Sequence, residues 1–557
     1  MTSTLEPEAT GTPQSGALGR LARVNAWAEQ MTIRLEPFSI SGWMSRKGPL
    51  QDGPSWGWLL IPGILGFLAT TAIAVGGALP DSPFKFELRG TWFFGEPQVA
   101  SHHYGTAMLL STLVLVYGGL VLLLRTWTHL IRAMACRSAA PLRYIVSMAI
   151  VWALPLIIVA PMFSRDIFSY AAQGEMVHNH VNPYLYGPYT SGASAYTFPV
   201  DPLWQNAPAP YGPLFLMVDG WFAAASFHHE LVTVVLLRFL AIAGVVLLAY
   251  AIPQLAKILG RDPSRAFVLG ILNPLVLTSL VSGAHNDALM AGLLVYGFLL
   301  AKRRRLILAL MVCALAAAVK APAILGVGYI AWEWLGPTAS VRERAKPLAI
   351  GALVTAAVFV GLSLLSGLGF GWVKNLASPG TVRSWEAPAT AVGMLLATAA
   401  HAVGLHTTMA TTISVSRLIG LATAAGISVW LFSKVDGIGG IKATGLSLLA
   451  IVILGPVIQP WYLTWGIVLL VPVATGRLRT GIIALTTIAP FIGLPGGKTL
   501  VVNLLQVDPL ATAAVLFACL VIFLCPLGRW TVPLATDTDP FVDPPIFAPV
   551  LPRLSEV

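Results

Sequence analysis

Runs of roughly 17 to 25 apolar residues recur from Trp56 to Leu524, and no other feature restricts the possible folds as strongly. Each run is long enough to cross the hydrocarbon core of a bilayer as a helix. In lipid every backbone N–H and C=O must find its partner inside the protein, which leaves helices or closed barrels. Barrel strands alternate apolar and polar residues, and these runs do not. Composition points the same way: 56% of the residues are hydrophobic and 10% are charged, against about a quarter charged in soluble domains. The chain reads as an all-α polytopic membrane protein.

Spans are predicted near 57–79, 105–125, 144–162, 232–256, 266–282, 288–301, 306–319, 322–336, 347–367, 409–433, 442–458, 462–475, 480–492 and 509–527, within a range of about 13 to 15 transmembrane helices. Residues 1–55 are polar and rich in Pro, Gly and Ser, with no apolar core of a signal peptide, and are expected to form a partly disordered cytoplasmic arm. Residues 56–528 are expected to form one transmembrane catalytic domain, in which 163–230 is the first large outer loop, and 529–557 a cytoplasmic tail. Cys136, Cys313, Cys519 and Cys525 show no paired spacing, so neither a disulfide framework nor a thiolate metal site is expected.

The net charge of +10 is explained by orientation rather than by nucleic acid. With the N-terminus in the cytoplasm, the inner loops hold Arg125, Arg132, Arg137, Arg143, Lys257, Arg261, Arg265, Lys302, Arg303, Arg304, Arg305, Arg342, Arg344 and Lys346. Making the apolar stretch 211–227 a full span would move Lys257, Arg261 and Arg265 outside. Residues 211–224 are therefore expected to dip into the outer leaflet as a short helix, and 388–404 to do the same; half-crossing backbone is tolerated where it lines a protein-walled cavity. All histidines except His129 then fall on the outer side, with the cations Lys85, Arg89, Arg165, Arg238, Lys320, Lys374, Arg383, Arg417 and Lys498. Arg238 and Arg417 either snorkel to the outer headgroups or serve function.

On that outer side the polar residues form a few constellations. Asp166 directly follows the span 144–162 and opens a stretch, 167–178, that can form an amphipathic surface helix. A carboxylate there is favoured as a helix cap, and a carboxylate held ionised is also poised to accept a proton from a sugar hydroxyl. Proline-rich turns at 182–184 and 207–213 carry Tyr184 and Tyr211, which can stiffen a loop or stack on sugar rings. His285-Asn286-Asp287 ends the span 266–282, and is read either as a cap or as donors to a sugar hydroxyl or phosphate oxygen. Lys320 at an outer helix end calls for an anion, and Arg383, beside Trp385, can clamp a phosphate with paired donors. Gln459-Pro460-Trp461-Tyr462 closes another helix, where Trp and Tyr also suit the aromatic belt of a membrane interface. No phosphate-binding glycine loop, dinucleotide turn or zinc motif occurs, and the outer carboxylates are dispersed. No metal or other cofactor is expected.

Taken in order, Pro161–Tyr170, Asn182-Pro183-Tyr184, Ala209–Phe215, Gly283–Met290, Val319-Lys320-Ala321-Pro322, Arg383-Ser384-Trp385 and Gln459–Tyr462 resemble the polyprenyl-phosphomannose-dependent α-1,6-mannosyltransferases of actinobacteria, which build the mannan core of lipomannan and lipoarabinomannan. The resemblance covers roughly residues 50–530 and implies a GT-C glycosyltransferase fold at the plasma membrane. It implies Asp166 as the catalytic base, and Arg383, Lys320, His285, Arg165, Asn286, Tyr184, Tyr211, Trp385, Gln459 and Trp461 as candidates for holding the donor's phosphate or sugar. The implied partners are a polyprenyl-phosphate-mannose donor and a lipid-anchored mannan acceptor. In simpler superfamily members the catalytic loop follows the first helix, whereas here it follows the third predicted span. The alternatives are a transporter or flippase of lipid-linked sugars, or a GT-C enzyme acting on arabinan or a protein hydroxyl.

Overall fold

The computed structural model describes residues 56–79, 82–84, 105–136, 140–376 and 378–491. The N-terminal arm, the predicted span at 509–527, the tail from 529, and Lys85, Arg89 and Lys498 lie outside the described residues. Among those described, the regular structure is helical throughout.

Helices α1 (Leu60–Ala78), α2 (Thr106–Cys136) and α3 (Leu142–Ile158) form a first group. A Cβ at Gly119 of α2 would stand 2.8 Å from the Ala69 carbonyl oxygen of α1, so the two backbones meet where a side chain would keep them apart. Indole N–H groups hold it: Trp152 Nε1 donates to Gly63 O at 3.1 Å within the group, and Trp127 Nε1 donates to Val268 O at 2.9 Å, which joins α2 to the later segment 263–270. The segment 163–230 holds α4 (Asp166–His178) and α5 (Pro213–Ala225), and is followed by the long α6 (Glu230–Ile258) and the short α7 (Pro263–Gly270).

The predicted span at 266–282 is interrupted. Asn273 Nδ2 donates to the carbonyls of Leu269 and Gly270 at 3.0 and 2.9 Å, its Oδ1 accepts from Val276 N at 2.8 Å, and Pro274 supplies no N–H. After this break the backbone winds as a π-helix over Val276–Ser282, then turns by 112° into α8 (Asp287–Lys302). Hydropathy registers only the apolar run and is blind to such a break. The remaining helices are α9 (Leu306–Val319), α10 (Ile324–Glu333), α11 (Val341–Ser366), α12 (Pro388–Ala402), α13 (Met409–Ser433), α14 (Gly440–Leu454), α15 (Pro460–Leu470) and α16 (Gly476–Ile488).

Five helices are long and apolar enough to cross a membrane, Gly57–Ala78, Ala107–Ala135, Glu230–Ile258, Val341–Ser366 and Met409–Ser433, and the bent pair makes a sixth. Shorter apolar helices occupy other predicted spans, including Leu306–Val319, Gly440–Leu454 and Pro460–Val473. The last three are enclosed by neighbours over much of their length, whereas α11 and α13 expose Leu353, Leu364, Leu365, Leu418, Ile419 and Val429. Apolar side chains exposed over whole helix faces belong against lipid, and the chain is a multi-pass membrane protein.

The two ends of the bundle differ in charge. Lys302 ends α8, where its Nζ meets Glu333 Oε1 at 2.9 Å; Arg303 reaches Tyr250 and Gln254, and Arg344 meets Asp436 at 2.9 Å. The opposite end of α8, roughly 24 Å away by helix rise, begins at Asp287 beside the residues described next.

Candidate active site

Two tight turns place the central groups. Phe163 and Ala284 both have left-handed backbone (φ 68° and 52°), an uncommon state for residues with a Cβ, and each immediately precedes a polar triplet. Met162 N donates to Ser282 O at 3.4 Å, so the two turns lie side by side. Asp166 starts α4 and Asp287 starts α8.

Neither carboxylate caps its helix. The residues at the cap positions, Arg165 and Asn286, make no side-chain cap bond, and Asp166's own N–H donates to Ser164 Oγ at 3.1 Å. The capping alternative is thereby set aside for both. Asp166 Oδ2 instead stands 3.5 Å from His285 Nδ1, with the Asp166 side chain 16% exposed and that of His285 fully buried. The imidazole stacks on Trp461, ring centroids 3.7 Å apart and planes within 19°.

A second pair lies against the first. Lys320, in extended backbone where α9 ends, donates from Nζ to Asp287 Oδ1 and Oδ2 at 2.9 and 3.0 Å. Trp465 Nε1 also donates to Asp287 Oδ1. Three rings face the ammonium, Tyr462 at 4.5 Å, Trp465 at 5.4 Å and Tyr211 at 5.7 Å. The anion that a buried lysine requires is therefore Asp287.

Aromatic groups wall the site on the α4–α5 side. Tyr170, one helical turn after Asp166, packs edge-on against Tyr211 and Phe215 at 5.2 and 5.0 Å, and its hydroxyl donates to Asn286 Oδ1 at 3.5 Å. Burial first, then Tyr211 and Asp166, holds the Tyr170 hydroxyl well above the usual phenol range; burial followed by Asp166 does the same for Tyr211. Both stay neutral donors beside the carboxylate. Tyr184 is buried with its hydroxyl on Tyr211 O at 3.0 Å, while Asn375 Nδ2 binds the carbonyls of Tyr184 and Ala209, which fixes the proline-rich turns against 372–376. Helix α4 is enclosed on all sides rather than lying along a surface, because α5 and α6 pack over the faces that an isolated amphipathic helix would leave open.

Asp166, His285, Asn286, Trp461, Lys320, Tyr211 and Tyr184 are thus joined by a chain of direct contacts. Arg165 is next to Asp166 and partly buried, and Gln459 is the partly buried N-cap residue of α15, two positions before Trp461. Arg383 and Trp385 are both exposed, and among the described residues no hydrogen bond, ion pair or ring contact ties either of them to this cluster. The loop that carries them is held by Arg417, whose guanidinium donates to the carbonyls of Gly380 and Val382 and to Thr390 Oγ1. Arg417 and Arg238 therefore do not snorkel: Arg238 is buried and donates to the carbonyls of Leu156, Ile157, Val159 and Ser282. Tyr170 and Trp465 are absent from the sequence-derived candidates, and Asp287 appears there only within the triplet 285–287, without its partner Lys320. The spacing of four residues from Asp166 to Tyr170 and from Trp461 to Trp465 is the signal that leads to the first two. Among the described residues no three His, Cys, Asp or Glu side chains converge as a metal-binding group.

Two family models match the sequence: "Alpha-(1->6)-mannopyranosyltransferase, N-terminal domain" over residues 63–336 and "MptB C-terminal domain" over 389–524. Alpha-(1->6)-mannopyranosyltransferase A of Mycobacterium tuberculosis is 31% identical over 507 residues, covering 87% of this chain and 93% of that protein. The chain belongs to the alpha-(1->6)-mannopyranosyltransferase family. Alpha-(1->6)-mannopyranosyltransferase B of Corynebacterium glutamicum is 30% identical over 63% of this chain and 62% of that protein. A solved oligosaccharyltransferase of Archaeoglobus fulgidus overlaps 68% of this chain and 51% of its own at 16% identity, with a TM-score of 0.29, too low a likeness to bear on the fold.

Proposed function

We propose that this mannosyltransferase moves mannose from polyprenyl-phosphate-mannose to a lipid-anchored mannan, with inversion, forming an α-1,6 linkage at the outer face of the plasma membrane. Family membership supports the sugar and the linkage, and the sequence resemblance supports the GT-C fold, the lipid donor and the mannan acceptor. The outer-face assignment is supported by the charge asymmetry, since the basic loops gather at the far end of α8 from Asp166. The domain reading that goes with it keeps 56–528 as one catalytic unit with its base in the loop 163–230.

The observation that carries the mechanism is the Asp166 carboxylate, which caps no helix, remains partly exposed and faces His285. The acceptor 6-hydroxyl gives its proton to Asp166 as its oxygen bonds to the anomeric carbon. The bond from that carbon to the phosphate oxygen breaks on the opposite face, and its electron pair leaves with the phosphate. Cations near the departing phosphate stabilise the transition state more than the ground state. Arg383 and Arg165 fit this role; Lys320 does so only by sharing its charge with Asp287. Trp385, Tyr211 and Trp461 supply ring faces for sugars, and Gln459 a polar edge.

The test is mannose transfer by the purified chain in lipid nanodiscs, from lipid-linked donor to a mannan acceptor, beside its Asp166→Asn variant. Turnover by the parent and its loss in a folded Asp166→Asn variant support the reading; equal turnover in both removes Asp166 as base. The 112° break before α8 favours a second reading, a flippase of lipid-linked sugar, because transporters bind substrate at broken helices. Lipid translocation without glycosidic bond formation distinguishes it.

A further inference from the structure

The connection between α4 and α5, residues 179–212, carries seven aromatic side chains and no Lys or Arg, and its one carboxylate, Asp201, accepts from Leu203 N at 2.9 Å. The fold uses some of these rings and leaves others. Tyr184 is buried with its hydroxyl on Tyr211 O, and Tyr196 is buried with its hydroxyl 2.9 Å from Thr233 Oγ1. Tyr186 and Tyr189 are 51% and 47% exposed, and among the described residues no side-chain hydrogen bond or ring contact holds either.

The backbone that presents these two rings is pinned. Tyr186 N donates to Asn182 O at 3.2 Å, and Tyr189 N to Gln205 O at 2.7 Å. Pro188 is buried between them, and a Cβ at Gly187 would stand 2.3 Å from the Asn206 carbonyl carbon, so glycine is required for the two limbs of the connection to meet. The base of the loop is tied by Asn182 Nδ2 to Leu368 O at 3.2 Å and by Asn375 Nδ2 to Tyr184 O at 3.0 Å. Two rings are therefore held outward on fixed backbone, and Tyr184 links them through Tyr211 to Tyr170 and the Asp166 side of the bundle.

Chemistry narrows the occupant. A tyrosine on fixed backbone has two torsions to lose on binding and offers a large apolar face with a polar tip. Lys and Arg are the residues that meet anionic headgroups or an anionic partner, and 179–212 has none. An uncharged hexose chain suits such a surface: its C–H faces pack on rings and its hydroxyls pair with hydroxyl side chains. Thr190 and Ser191, next to Tyr189, are exposed and supply such hydroxyls.

We propose that Tyr186 and Tyr189 form a subsite for the sugar chain of the acceptor, holding mannose residues that lie behind the one receiving the transfer. The inference rests on the proposed mannan acceptor and adds where its chain is gripped.

The experiment reads binding and transfer separately, with the full chain in phosphatidylcholine nanodiscs. Binding of a soluble α-1,6-linked mannan oligosaccharide is measured without donor by ligand-observed NMR. Transfer is measured with that oligosaccharide and with a single octyl mannoside as acceptors. The parent should bind the oligosaccharide, and Tyr186→Ala and Tyr189→Ala should each weaken binding roughly three- to tenfold, the loss of one ring contact. Acceptor KM should rise by the same factor for the oligosaccharide alone, with donor KM and the single-mannoside KM unchanged. Tyr186→Phe, which keeps the ring, should bind like the parent. No binding by the parent, or equal binding by both alanine variants, overturns the proposal. So does a loss shared by the single mannoside and the lipid donor, which places the loop in the bilayer instead. Binding that weakens in the alanine variants although the parent transfers no mannose supports the subsite and counts against the mannosyl-transfer reading.

Discussion

His285 Nδ1 lies 3.5 Å from Asp166 Oδ2, and the two residues are contributed by turns more than a hundred positions apart in the chain. The imidazole is fully buried and stacked on Trp461, so its position beside the carboxylate is set by packing. Removing the proton acceptor while keeping shape and polarity isolates its chemistry. Asp166→Asn should lower kcat by about 10²- to 10⁴-fold, the usual range for a general base, with little change in donor KM. Mannose transfer by purified protein, beside an unchanged melting temperature, checks it; retained kcat assigns the proton to another group.

If His285 acts through Asp166, their substitutions are not independent. His285→Gln should reduce kcat alone but add little to Asp166→Asn, because the oriented carboxylate is already gone. A double-mutant cycle on kcat reads this coupling. Fully additive losses would show that His285 contacts substrate by a route of its own.

Lys320 and Asp287 form a buried pair whose two members depend on each other. Lys320→Met leaves Asp287 with Trp465 as its remaining donor and should cost about 3–5 kcal/mol of stability, a cost expected for an uncompensated buried charge. Adding Asp287→Asn removes that charge and should restore most of the melting temperature. Donor KM measured on the double variant then separates roles: a value near that of the parent limits the pair to structure, and a raised value returns Lys320 to the donor phosphate.

Gly244 and Gly292 set the separation of α6 and α8, the latter carrying Asp287 at its first position. A Cβ at position 292 would fall 2.6 Å from the Gly244 carbonyl oxygen, a backbone atom that cannot rotate away. Gly292→Ala should therefore force the helices apart and lower stability by about 1–3 kcal/mol, the range for overpacking. A melting temperature equal to that of the parent would count against so close a contact.

What the sequence reveals depends on whether a signal is local. The helix Met409–Ser433 coincides with its predicted span because one uninterrupted apolar run determines it, and Asp166 stands out because a charge beside such a run is rare. The break at Asn273-Pro274 is marked by residue type, yet its π-helical continuation depends on packing that no local pattern records. The Lys320–Asp287 pair joins positions 33 apart, and Arg238 reaches carbonyls some 80 positions upstream. Such partners are chosen by the fold, so a charge inside an apolar segment announces that it has a partner without naming it.

Arg383 is the exposed cation assigned to the donor phosphate, and Arg417 holds the backbone on its N-terminal side through Gly380 and Val382. The two arginines should fail in distinguishable ways. Arg383→Gln removes an exposed guanidinium and should leave the melting temperature unchanged while raising donor KM by roughly tenfold, the loss of one charge-assisted contact. Arg417→Lys keeps the charge but not the fork that reaches two carbonyls and Thr390 at once. It should raise donor KM in the same direction and also lower the melting temperature, because the loop loses its anchor. Steady-state kinetics with donor and acceptor varied separately decides the matter: a rise confined to acceptor KM in Arg383→Gln moves this loop from the phosphate to the acceptor sugar.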